Sequence, residues 1–239
     1  MALARYVDVA EAGLRAEVSQ GETGLYRTLR YHMGWEDESG NAISGSEGKR
    51  LRPALVLLVC ETVGGRWEPA LPAAVAVELA HNFSLTHDDI QDRDRERHNR
   101  PTVWSLWGEA QALNGGDAMY SLACRALGGL ERHNVPYERV LQTSTSLTRS
   151  SLAMLEGQYL DLEFETRLDV TTDEYMGMIS RKTGALMSCA MEMGAIVGSG
   201  DREMTTAFAE AGWHLGNLFQ IRDDVLGISP NTDFLPFYP

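Results

Sequence analysis

The chain has 239 residues, a formal net charge of -13, 44% hydrophobic residues and 23% charged ones, the balance of one globular domain rather than of a disordered or fibrous chain. That charge argues against nucleic acid and against an anionic membrane surface as main partners, and no apolar run reaches the length needed to cross a bilayer, so no stable membrane insertion is expected. The first residues (Met-Ala-Leu-Ala-Arg-Tyr) lack a secretory pattern, and Cys60, Cys124 and Cys189 lie far apart in apolar segments, so a cytoplasmic protein with reduced thiols is expected.

Helical periodicity dominates from the start, and no stretch shows sustained strand alternation. Residues 2–19 read as an amphipathic helix with Leu3, Val7, Ala10, Leu14 and Val18 on one stripe. Residues 34–48, rich in Gly, Ser, Glu and Asp, read as an exposed loop. A compact apolar helix follows Pro53 and stops at Gly64-Gly65. From Pro69 a long, almost wholly apolar helix runs to Asp92, and its composition predicts a central position. Residues 93–100 are highly charged and end at Pro101, a helix exit. Further helices are predicted over 102–112, 115–132, 137–166, 172–198 and 202–228, with small residues (Gly184, Ala185, Gly194, Gly212, Gly216) where helices or a ligand approach closely. The expected architecture is a single all-α bundle over residues 1–228, with an irregular tail over 229–239.

Two acid pairs stand out inside apolar stretches: Asp88-Asp89, followed by Asp92, and Asp223-Asp224. Carboxylates held against apolar surface are costly unless something positive neutralises them, and a divalent metal is the commonest solution. Asp88 and Asp92 are one helical turn apart, about 6 Å along the axis, and so share a face. Two such ledges facing each other would grip magnesium ions, which in turn grip a polyphosphate. Each motif also has a plainer reading. The first could be a solvated helix end, and the second an ordinary helix terminus before Gly227. The cluster Gly48-Lys49-Arg50-Leu51-Arg52-Pro53 fits either a phosphate site at a helix start or solvated cations. Arg95, Arg97 and Arg100 could simply balance Asp92, Asp94 and Glu96. Lys182-Thr183, set in the apolar helix Met178-Ile-Ser-Arg-Lys-Thr-Gly-Ala-Leu, must snorkel or meet an anion. Taken together, metal-binding acids, separate cations and apolar walls are what prenyl diphosphate chemistry needs.

In order and spacing these elements resemble the trans-isoprenyl diphosphate synthases, or polyprenyl synthetases. The resemblance covers Gly48 to Ile228: Gly-Lys-Arg-Leu-Arg-Pro, Glu78-Leu-Ala-His81, Asp88-Asp89-x-x-Asp92, Arg97 before Arg100-Pro101-Thr102, Gly157-Gln158-x-x-Asp161, Lys182-Thr183, and Phe219-Gln220-x-x-Asp223-Asp224. It implies an isoprenoid synthase-type bundle around a central cleft, working as a homodimer. Asp88 and Asp92, supported by Asp89, would hold magnesium from one side, and Asp223 with Asp224 from the other. Arg97, Lys182, Thr183 and Gln220 would serve the allylic diphosphate, and Lys49, Arg52 and His81 the isopentenyl diphosphate. Phe83, five residues before Asp88, would floor the chain-length cavity, which is similar to short-chain members and implies a farnesyl or geranylgeranyl product.

Three departures from the family pattern matter. His98 stands where a second arginine is usual, Gly227 replaces the third acid of the second motif, and only fifteen residues follow Asp224 where further helices are expected. These departures favour a second reading, a catalytically impaired homologue acting as a partner or regulatory subunit. A class I terpene cyclase shares the first acid motif, but no Asn/Asp-x-x-Ser/Thr-x-x-x-Glu element occurs around Asn217–Asp224. A di-iron bundle would need a second Glu-x-x-His besides Glu78–His81.

Overall fold

The structure, a computed structural model, describes residues 3–43 and 48–228. The expected tail 229–239 and part of the 34–48 loop lie outside the described residues. Helix α1 (Ala4–Val18) buries Tyr6, Ala10, Leu14 and Val18, with Tyr6 rather than Val7 completing the expected stripe. Helix α2 (Gly24–His32) was not anticipated; it buries Thr28, Leu29 and Tyr31. The loop after it is less exposed than its composition implied, because Trp35 is buried under the Arg15 guanidinium, 4.7 Å from the ring centroid.

Helix α3 (Leu51–Thr62) lies against α4 (Leu71–Gln91), the long apolar helix, which buries residues on nearly every side. Beyond α4 the charged segment turns back as a two-stranded ribbon, β1 (Glu96–Arg97) with β2 (Arg100–Pro101). His98 and Asn99 form its tip at φ 52 and 59, the left-handed geometry of a tight hairpin. Next come α5 (Val103–Trp107), α6 (Glu109–Leu127) and α7 (Gly129–Arg132). The break falls at Gly108 (φ 83), not after residue 112 as expected. Gly115 and Gly116 instead lie inside α6, where a Cβ on Gly116 would come within 2.3 Å of the His87 ring.

Helix α8 (Tyr137–Phe164) leads to α9 (Thr172–Ile179), which opens with a capping box between Thr171 and Glu174. The expected continuous helix 172–198 is interrupted: Ser180–Gly184 form a π turn before α10 (Ala185–Gly198). Helix α11 (Arg202–Ile228) closes the bundle. The core runs through α4 and α10, which touch α3, α6, α8 and α11 between them, and it includes Leu57, Leu79, Met119, Leu130, Leu147 and Leu186. The all-α expectation holds, and no helix among the described residues is long and apolar enough to cross a membrane.

Candidate active site

Helix α4 ends at the first acid motif. Asp92 caps it, its N–H donating to the Asp88 carbonyl at 2.8 Å, so both carboxylates leave the same helix end. Asp89 faces inward, 2% exposed, and accepts a 2.7 Å bond from Arg97 Nε on β1. Burial pushes the Asp88 carboxyl up to about 7; Lys182 and Arg97 pull it down, while Asp92 and Asp89 push it further up. Burial also raises Asp92 and Asp89 above the usual carboxylate range. Asp88 and Asp89 are therefore held out of water, which separates this end of α4 from a solvated one, while Asp92 stands exposed at its edge.

The π turn supplies the facing cation. Lys182 Nζ pairs with Asp161 of α8 and acts electrostatically on Asp88 and Asp92, so this lysine meets acids rather than snorkelling. The approach depends on Gly157, where a Cβ would sit 2.2 Å from the Lys182 backbone nitrogen. The next residue, Gln158, is buried; its Nε2 donates to Asp92 Oδ1 at 3.4 Å, while its Oε1 has no partner.

On the other side of the π turn, Thr183 Oγ1 donates to Gln220 Oε1 at 2.6 Å. Gln220 Nε2 donates to Asp224 Oδ1 at 2.8 Å, and Tyr175 OH to Asp224 Oδ2 at 2.5 Å. Gln220 is thus occupied at both ends within the protein and acts as a strut between Thr183 and Asp224. Backbone-close packing brings α11 in, since a Cβ on Gly216 would lie 2.7 Å from Gly184 Cα. Asp224 is oriented, whereas Asp223 is exposed, with its own neighbour Arg222 4.0 Å away. Gly227 leaves open space where the expected third acid would stand.

The second cation group lies behind the first ledge. Arg52 is half-buried, its Nε without a hydrogen-bond partner, and His81 is held neutral by burial together with Arg52 and Arg97. Lys49 is exposed at the rim, and His98 is exposed at the ribbon tip. The sequence reading missed His32 at the end of α2. Burial, then Arg97, lower its pKa to about 4, and Thr86 Oγ1 lies 3.4 Å from its Nδ1. No local motif marks it. Below the ledge, Phe83 is buried and packs its ring 4.8 Å from His87 and 5.2 Å from Tyr120.

Among the described residues no three acid, imidazole or thiol groups converge on one point. The donor set still suits magnesium: hard carboxylate oxygens from Asp88, made costly by burial, and from the exposed Asp92, beside the unpartnered Gln158 oxygen.

A sequence profile described as Polyprenyl synthetase matches residues 34–234. The chain is 45% identical over 215 residues to a (2E,6E)-farnesyl diphosphate synthase of Mycobacterium tuberculosis, which covers 90% of this chain and 58% of that protein. It is 45% identical over 211 residues to a geranylgeranyl diphosphate synthase of Methanosarcina mazei, covering 88% and 61%. The crystal structure of a polyprenyl synthetase from Streptomyces coelicolor superimposes with a TM-score of 0.87 at 41% identity, over 93% of this chain and 64% of that one. The chain spans about three fifths of the length of these curated relatives.

Proposed function

The chain belongs to the polyprenyl synthetase family, and on that premise we propose that it condenses isopentenyl diphosphate with an allylic diphosphate, in a magnesium-dependent reaction giving a short-chain product. The observation that carries this is the first ledge: Asp88, drawn out of water, with the exposed Asp92 one turn on, both faced by Lys182, beside a separate pocket of Arg52 and neutral His81. Asp88 and Asp92 would hold magnesium, with Asp223 and the oriented Asp224 opposite, and magnesium when bound supplies Lewis acidity to the leaving diphosphate. Lys182 and Arg97 neutralise the allylic diphosphate oxygens from the protein side, and Thr183, whose hydroxyl donates to Gln220, serves that side by bracing the π turn against α11. Lys49, Arg52 and His81 hold the isopentenyl diphosphate so that its double bond lies against the allylic carbon. Apolar walls exclude water from the cationic carbon.

Phe83, with Tyr120 against its ring, floors the cavity, which supports a farnesyl or geranylgeranyl product. A homodimer is supported by the outer face of α8, where Leu141, Leu152, Leu155 and Tyr159 stand exposed in a helical stripe. A cytoplasmic working place is supported by the free thiols of Cys60 and Cys189, both buried.

A second reading, a partner subunit of low intrinsic activity, is favoured by the exposure of Asp223 and the open space at Gly227. Incubating the purified chain with magnesium, isopentenyl diphosphate and geranyl or farnesyl diphosphate separates the two. Product one five-carbon unit longer supports the synthase; no condensation with either allylic substrate overturns it.

A further inference from the structure

Between the two cations of the Gly48–Pro53 motif lies a third that no substrate role uses. Arg50 is 4% exposed and has the backbone of a left-handed residue, φ 48, at the start of α3. A bulky residue keeps that conformation only where its surroundings over-determine it. Here they do. Arg50 Nε donates to Glu11 Oε2 on α1 at 2.8 Å, Nη1 to Glu78 Oε1 on α4 at 3.1 Å, and Nη2 to the Met33 carbonyl after α2 at 3.3 Å. Glu11 is shared with the more exposed Arg15 at 2.9 Å, so two guanidiniums meet two carboxylates.

The location matters more than the balance. Glu78 is one turn before His81 on α4, and Arg50 is two residues before Arg52, so the Arg50–Glu78 pair ties together the two segments that furnish the isopentenyl diphosphate pocket. Glu78 is also the acid that acts electrostatically on Arg52, yet Arg52 makes no ion pair among the described residues and its Nε stays unpartnered. A carboxylate left without Arg50 would turn to the guanidinium of Arg52, on which it already acts and whose Nε is unpartnered, because a buried unpaired charge is costly.

We propose that Arg50 is a positioning residue of this pocket: it holds the left-handed turn between Lys49 and Arg52 and occupies Glu78, which keeps Arg52 available to the diphosphate of the homoallylic substrate. The proposal rests on the reading of Lys49, Arg52 and His81 as that pocket. It differs from a simple brace between helices in one respect: the harm done by removing Arg50 comes from the carboxylate it leaves behind.

Steady-state kinetics on Arg50→Gln, Glu78→Gln and the double variant distinguish the two. Arg50→Gln should raise KM for isopentenyl diphosphate at least tenfold and leave KM for the allylic diphosphate within about twofold; the double variant should recover most of that loss. Equal changes in both KM values, or a double variant no better than Arg50→Gln, would overturn the proposal. Should Arg50→Gln fail to fold by thermal melting, Arg50→Lys, which keeps the charge but not the fork, should show a smaller rise confined to the same KM, and a rise in both would count against it. Should the wild-type chain make no product, the proposed function fails by itself. Calorimetric titration with inorganic diphosphate in magnesium-free buffer then decides the role of Arg50. Binding lost in the single variant and regained in the double supports it, and equal binding by all three overturns it.

Discussion

The two acid ledges look alike in sequence and differ in physical state. On α4, Asp88 and Asp89 are drawn into the protein, braced by Arg97 and faced by Lys182, and burial has lifted their pKa values. On α11, Asp224 is tethered by Tyr175 and Gln220 while Asp223 stands in solvent. A carboxylate in a low-dielectric setting pays a desolvation cost that a cation can return, so the first ledge is poised to bind, and the second is poised mainly by orientation. Acid count alone would have missed this.

Substitutions can break or sharpen that contrast. The largest effect is expected from Asp88→Asn, which should lower turnover about 100- to 1,000-fold and weaken magnesium binding; Asp223→Asn should cost less, and a reversed order in parallel turnover assays would put the stronger ledge on α11. Next comes Gly157→Ala, whose methyl meets the Lys182 backbone at 2.2 Å. Overpacking of this kind costs about 1–3 kcal/mol, and a lowered melting temperature together with weakened allylic substrate binding would show that Lys182 has been pushed from the first ledge.

Acid should loosen the region behind the first ledge. His32, at about 4, and His81, well below the usual imidazole range, are neutral in the folded chain. In the unfolded chain they titrate near 6.5, so the unfolded state binds more protons between about 4 and 6.5, and stability falls as pH drops through that window. Melting curves at pH 7.5 and pH 5 should therefore diverge less in His32→Asn than in the wild type.

Phe83→Ala tests the proposed floor beneath the first ledge: product chromatography should show chains longer by at least one five-carbon unit, and unchanged chain length would discard that role. The smallest effect belongs to Gly227→Asp. A side chain there meets nothing within 4 Å, so fold stability should change by only a few tenths of a kcal/mol, and a few-fold gain in magnesium affinity would show that the second ledge lacks only its third acid.

How much of this was legible depends on where the conflict between residue and surroundings lay. Aspartates alternating with Phe83, Leu85 and Ile90 announce themselves, and so does Lys182 in an apolar helix. Helix α2 gave no such signal, because Arg27 and Arg30 interrupt its apolar residues and its burial is supplied by distant segments. Tyr175 became part of the site only through Asp224, forty-nine residues away. His32 is kept neutral first by burial and then by Arg97, Arg50 and Arg100, all from other segments. Trp35, in a stretch of loop-forming residues, is buried because Arg15 lies over it. Local pattern predicts what a residue prefers; these residues are defined by what folds against them.

The π turn at Ser180–Gly184 also sets a rule for the gene. It amounts to one residue more than an α-helix would use over the same length. Losing a single codon within 180–184 would therefore heal the helix and leave the turns on either side in register, whereas the same loss inside the regular α10 would turn everything beyond it by about 100°. Leu186, Cys189, Ala190 and Met193, now in the core, would keep their partners after the first deletion. What the first deletion would remove is the widened turn that carries Lys182 to Asp161, so a chain that folds better should here bind its anionic substrate worse, while exchanges of Ser180 or Arg181 that keep the count should be borne easily.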